Sequence, residues 1–144
     1  MILIDVNVLI YAFSNAAERH AEYRQWLEST IEGVQAYGVS ELILSSFVRI
    51  VTHPRVLDPP AALDTAIRFC TVVRDQPNAV VLTPGSRHWS IFVDLCRSTE
   101  SRGNLISDAY LAALAIETGS ELISTDRDFT RFPKLKWRHP LAAG

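Results

Sequence analysis

Ile2-Leu3-Ile4-Asp5-Val6-Asn7-Val8-Leu9-Ile10 sets one carboxylate in the middle of an otherwise apolar run. Its three leading aliphatic residues read as a short buried strand, and Asp5 ends it. An uncompensated buried charge is strongly disfavoured, and no Arg or Lys lies nearby in sequence, so something else must satisfy Asp5. Working outward, similar β-like runs recur at Val34 to Val39, Ala79 to Leu82 and Leu122-Ile123, with a weaker one at Leu135 to Trp137. Segments of helical period separate them. Tyr23, Trp26, Leu27 and Ile31 share one face, as do Leu63, Ala66, Ile67 and Cys70, and Trp89, Phe92, Val93 and Cys96. Pro59-Pro60 and Pro84-Gly85 mark boundaries, and Gly119 stands where a helix C′ residue belongs. Short apolar strands separated by helices predict an α/β fold with a central, mostly parallel sheet of about five strands flanked by helices. At 144 residues the chain is expected to be one domain spanning 1–144.

Open parallel sheets bind ligands at the carboxyl ends of their strands. Four carboxylates from distant parts of the chain are directed to that rim. Asp5 ends the first strand, Glu41 opens a helix running to His53 after the second, and Asp126 follows Leu122-Ile123. Asp108 opens a helix running to Thr118, antiparallel to the strand after it, so its start lies at the same edge. Taken singly, Glu41 and Asp108 are ordinary helix-start acids and Asp126 an ordinary turn residue. Taken together they repel, and a fold that assembles them needs a counter-charge. A hard divalent cation supplies it, and Mg²⁺ or Mn²⁺ suits an all-oxygen donor set. Soft-metal sites do not fit, because His20, His53, His88 and His139 are scattered and Cys70 and Cys96 sit on apolar helix faces.

Composition narrows the classes further. Hydrophobic residues make up 48% and charged residues 21%, which excludes disorder, collagen-like repeats and a disulfide scaffold. The two cysteines form no CxxC pair and suit a reducing compartment. With no basic segment ahead of the first apolar run and no run long enough for a membrane helix, a cytoplasmic protein without membrane attachment is expected. The net charge of −2 advertises no polyanion partner. Without Asp5, Glu41, Asp108, Asp126 and Asp128, however, eleven acidic residues face fourteen basic ones. Twelve of those basic residues are Arg, the side chain better suited to forked phosphate contacts.

The segments Leu3-Ile4-Asp5-Val6-Asn7-Val8-Leu9-Ile10-Tyr11, Ser40-Glu41-Leu42, Asn104 to Ala115 and Ser124-Thr125-Asp126-Arg127-Asp128-Phe129 resemble the four acidic motifs of PIN domains, in order and over nearly the whole chain. They are most similar to those of the VapC toxins of bacterial toxin–antitoxin pairs. The resemblance implies a PIN-like fold and a Mg²⁺-dependent endoribonuclease, with Mn²⁺ able to substitute, that cuts single-stranded or loop RNA to leave 5′-phosphate and 3′-hydroxyl ends. It also implies a homodimer and a cognate antitoxin that blocks the active groove. Carried over by position, Asp5 and Asp108 would be the principal metal ligands, with Glu41 and Asp126 completing the cluster directly or through water. One departure stands out: Asn7 occupies a position where many PIN domains have Thr or Ser, and it retains the capacity to hydrogen-bond Asp5 or a water on the metal.

On this reading the metal acidifies the attacking water and neutralises charge on the phosphoryl oxygens, with Glu41 or Asp126 accepting a proton. Asp128 is open between an outer ligand and a surface turn residue, and Asn104 between an RNA contact and a loop cap. Thr125 is a candidate to orient Asp126. Arg102 and Arg127, nearest the motifs, are candidates for phosphate contact. Trp26 and Trp89 have core-facing periodicity, and Leu57 and Val73 are candidates for an apolar interface. Two alternatives remain: a PIN-like module that binds RNA or a partner without cutting, and an aspartate-nucleophile phosphatase of the HAD type. The latter needs a second Asp where Asn7 stands and a downstream Lys, whereas the chain's lysines, Lys134 and Lys136, come only at its far end.

Overall fold

The computed structural model describes residues 1–142. Among them the chain forms β1 (Ile2–Ile4), α1 (Val6–Phe13), α2 (His20–Glu32), β2 (Tyr37–Val39), α3 (Glu41–Val51) and α4 (Leu63–Arg74). It continues through β3 (Ala79–Val81), α5 (His88–Thr99), α6 (Asn104–Thr118), β4 (Glu121–Ile123), a 3₁₀ turn (Arg127–Arg131) and β5 (Trp137–Arg138). The five strands pair in the order β3-β2-β1-β4-β5, and every pair is parallel. The expected α/β class and the strand count both hold.

The strands are three residues or fewer, so register depends on a few side chains. Leu3 lies between Gly38 and Leu122, and Ile4 beside Ile123. Leu3, Ile4, Leu122 and Ile123 are all buried. Gly38 is required by close approach: a Cβ there would run into the Leu82 side chain and lie 3.0 Å from the Ile2 carbonyl oxygen. Helix α6 meets the core with Ala109, Ala112, Ala113 and Ala115, all buried, and small side chains let a helix backbone lie close to its neighbours. Phe47 stacks on Phe69 at 4.8 Å between centroids, and Phe13 meets both edge-on, which ties α1, α3 and α4 together.

Several local expectations need correction. Strand β2 begins at Tyr37, because Val34 is almost fully solvent-exposed. Strand β5 is shifted to Trp137–Arg138. Helix α5 buries His88 and Leu95 and turns Trp89 outward, leaving Trp89 68% exposed. The inward phase follows His88 because its ring meets the Tyr110 carbonyl oxygen at 2.9 Å, which satisfies the buried polar group. On α4 the inward residues are Ala66, Cys70 and Val73, while Leu63 and Ile67 face solvent. Val73 is therefore core and not an interface residue, and Leu57 is only partly buried.

Helix α6 starts at Asn104, four residues before the expected start, so Asp108 lies one turn inside it. The cause is Gly103, whose φ of 55° and ψ of −126° form a sharp entry that side-chain-bearing residues avoid. At the other end Gly119, at φ 68°, closes the helix in the left-handed conformation.

Candidate active site

The chain leaves β1 for β2 and β3 on one side and reaches β4 and β5 on the other, so the sheet's direction of winding changes between β1 and β4. The crevice outside the carboxyl ends of two such strands is where α/β sheets hold ligands. Asp5 and Ser124 occupy that position. Asp5 is 6% exposed, its N–H donates to the Ile123 carbonyl oxygen at 2.9 Å, and its side chain caps α1 by accepting the Val6 N–H at 2.7 Å. Its other oxygen accepts the Ser124 hydroxyl at 2.7 Å. Ser124 is fully buried and its oxygen accepts the Asp126 N–H at 3.1 Å. Asp126 in turn accepts the Asp128 N–H at 2.9 Å, which fixes the 3₁₀ turn.

These bonds do not neutralise the site. Burial raises the Asp5 carboxyl above its ordinary range, with the Ser124 and Val6 hydrogen bonds opposing and the Asp126 charge reinforcing the shift. Asp108, half-buried on α6, is pushed up to about 6, first by burial and then by repulsion from Asp126, Asp5 and Asp128. Burial is the main cause of both shifts, neighbouring carboxylates add to it, and no Arg or Lys offsets them.

The donor set and the charge fit a hard divalent cation. Among the described residues no group of three or more His, Cys, Asp or Glu side chains forms a ready-made metal cage. An ion here would rest directly on one or two carboxylates and keep several waters, the arrangement Mg²⁺ favours.

The other sequence candidates divide. Glu41 opens α3 as expected, but its carboxylate points to Arg74 on α4, which donates Nε–H at 3.0 Å, and Arg74 also pairs with Asp75 at 2.8 Å. Glu41 has no part in the repulsion felt at Asp5 or Asp108. Asn7 lies in the first turn of α1 and does not bond Asp5, whose two oxygens are taken by Val6 and Ser124. Asn104 is exposed as the first residue of α6. Asp128 joins the repulsion at Asp108 and lies 3.8 Å from Arg131. Arg102 and Arg127 are exposed and make no ion pair among the described residues.

Thr125 makes no hydrogen bond to Asp126; it lines a separate cleft with Tyr11, Glu18, Arg19 and Tyr23. The orienting role expected of Thr125 falls to Ser124, a residue to which the motif alone gives no role. The available signal was a hydroxyl at the last step of an apolar strand, where a buried oxygen must find a partner. A larger cleft of about 670 Å³ opens at the opposite, amino edge of the sheet, around Ile2, Tyr37 and Glu121. It contains none of the aspartates.

Residues 2–135 match the family model of the PIN domain. Ribonuclease VapC43 of Mycobacterium tuberculosis is 40% identical over 141 residues, covering 98% of this chain and 96% of that protein. Ribonuclease VapC25 of the same species is 34% identical over 140 residues, covering 97% and 99%. Among solved structures, VapBC2 from Rickettsia felis bound to a DNA fragment from its promoter superposes with a TM-score of 0.71 at 17% identity, over 96% of this chain and 98% of that one. VapBC-1 from nontypeable Haemophilus influenzae gives 0.71 at 16%, over 99% and 100%. The chain belongs to the PIN-domain family and, within it, to the VapC group.

Proposed function

We propose that this chain is a metal-dependent endoribonuclease, the toxin of a toxin–antitoxin pair, that cuts single-stranded or loop RNA. The observation that carries the reading is the set of uncompensated carboxylates, Asp5, Asp108 and Asp126, at the switch crevice of a chain homologous to proteins named VapC ribonucleases. Asp5 and Asp108 would hold the ion, Mg²⁺ with Mn²⁺ as substitute. When bound, it supplies the positive charge that both the aspartates and a phosphodiester in displacement require.

The chain's own residues do the rest. Ser124 fixes one oxygen of Asp5 and the backbone of Asp126, so the Asp5 carboxylate and the turn that carries Asp126 are set before the reaction. Asp126, half-exposed and tied at only one oxygen by the Asp128 N–H, stands to accept the proton of the attacking water. Held by Arg74, Glu41 is less well placed for that role than the sequence alone suggested. Asn7, in the first turn of α1, and Asn104, at the start of α6, would offer polar contacts to the substrate, and Asp128 fixes the turn that carries Asp126.

An antitoxin that covers the crevice, a homodimeric toxin and a cytoplasmic location complete the reading. No helix among the described residues is long and apolar enough to cross a membrane. The test is cleavage of a pool of structured RNAs by the purified protein in Mg²⁺, Mn²⁺ and EDTA. Metal-dependent cuts lost in Asp5→Ala and Asp108→Asn are expected. Cuts that persist in either variant would contradict the assignment.

A further inference from the structure

Beside the aspartates the fold leaves a second feature that the cleavage chemistry does not use. A cleft of about 430 Å³ is lined by Tyr11, Glu18, Arg19, Tyr23 and Thr125. It adjoins the crevice through the chain itself, because Thr125 stands between Ser124, bonded to Asp5, and Asp126. The Tyr11 and Tyr23 rings lie 5.2 Å apart and tilted by 50°. Tyr23 is buried, with its hydroxyl 3.5 Å from His139 Nε2, and so backs Tyr11, which is half-buried.

The charges around the cleft are ordered. Glu18 lines it, which disfavours a phosphate inside. Arg19 is fixed by two hydrogen bonds to Glu22 at 2.8 and 3.0 Å. Arg127, exposed and without an ion-pair partner among the described residues, follows Asp126 at the rim. Burial lowers the basicity of His139, and the fields of Arg19 and Arg127 add to it. The Thr125 hydroxyl makes no hydrogen bond to the described residues. An aromatic wall, a free hydroxyl and a cation outside the mouth suit a neutral flat group joined to an anion, which describes a nucleotide.

We propose that this cleft is a base subsite: it seats the base of a nucleotide next to the scissile phosphodiester against Tyr11, with Thr125 at the base edge and Arg127 on the adjoining phosphate. The proposal rests on the ribonuclease reading and names the part of the substrate that its site would select.

The experiment titrates a short single-stranded RNA carrying 2-aminopurine into the Asp108→Asn protein, where it is not consumed. Tyr11→Leu, Tyr11→Phe, Thr125→Val and Arg127→Ala are each added to that background. Tyr11→Leu keeps apolar packing on Tyr23, and circular dichroism and the thermal midpoint verify its fold. Expected are fluorescence quenching on binding, an affinity about five- to hundredfold weaker with Tyr11→Leu, and recovery with Tyr11→Phe, as loss and return of one stacking contact require. Arg127→Ala should weaken binding and flatten the salt dependence by about one phosphate contact. In the otherwise wild-type enzyme, Tyr11→Leu should raise KM more than it lowers kcat. A folded Tyr11→Leu protein with unchanged affinity and quenching would overturn the subsite. RNA that the wild-type enzyme never cuts would instead count against the ribonuclease reading, and the binding arm would still decide the subsite.

Discussion

The buried Ser124 hydroxyl donates to the Asp5 carboxylate at 2.7 Å and accepts the Asp126 backbone N–H at 3.1 Å, so one oxygen ties together two residues 121 positions apart in the chain. That link joins the ends of the two central strands. It also explains how a charge can occupy the apolar opening run, since Asp5 is held by two hydrogen bonds in place of an ion pair.

Ser124→Ala removes both halves of the link. It should cost about 1–3 kcal/mol of stability, the range for a buried polar group left without its partner. Urea denaturation would measure it, and kcat for RNA cleavage should fall alongside because Asp5 and Asp126 lose their common anchor.

Asp108→Asn should abolish cleavage yet leave the metal-free protein as stable as wild type or more so. The substitution deletes a charge that burial, and then three neighbouring carboxylates, disfavour. A thermal midpoint in EDTA that is unchanged or a few degrees higher is expected, and a clear fall would mark Asp108 as a structural residue.

The same shift has a sign in pH. The Asp108 carboxyl is raised from 3.8 to about 6 in the fold, so the folded state binds its proton more tightly than the unfolded chain does. Its contribution to metal-free stability is therefore fully present below about pH 4 and is lost as pH rises through about 6. Asp5, also raised, acts in the same direction. In EDTA the midpoint of wild type should approach or exceed that of Asp108→Asn as pH falls from 7.5 to 4.5. A gap independent of pH would remove the electrostatic explanation.

Gly103→Ala should destabilise the protein by about 1–3 kcal/mol, the cost of holding a side-chain-bearing residue in a sparsely populated backbone region. Because Gly103 leads directly into α6, cleavage should weaken in step with the loss of order around Asp108, which hydrogen exchange of the first turn of α6 would register. Arg74→Ala provides a contrast. Its pairs with Glu41 and Asp75 are exposed and screened by water, so their removal should leave the urea midpoint essentially unchanged.

Much of the fold was legible in the sequence because short aliphatic runs and helical periods are one-dimensional signals. Ile2-Leu3-Ile4, Ala79 to Val81 and Leu122-Ile123 are all in strands; Asp5 directly follows β1, and Asp126 comes three residues after the end of β4. What failed depended on partners elsewhere in the chain. Trp89 has the spacing of a core residue, but the phase of α5 is set by His88 against the Tyr110 carbonyl oxygen. Asp108 reads as an ordinary helix-start acid, while the backbone turn that begins α6 belongs to Gly103. Glu41 was placed correctly along the chain, yet its direction is decided by Arg74, thirty-three residues away. Ser124 is not legible in the sequence because a lone hydroxyl carries no pattern until the strand beside it is known.

Metal binding at the aspartates tests the central claim most directly. Calorimetric titration of Mn²⁺ and Mg²⁺ into the metal-free protein, with Asp5→Ala and Asp108→Asn beside it, should give saturable binding in wild type and binding at least about tenfold weaker in each variant, as loss of a ligand or its support requires. Equal binding in wild type and Asp108→Asn would place the ion elsewhere and contradict the assignment of this crevice as the metal-dependent site.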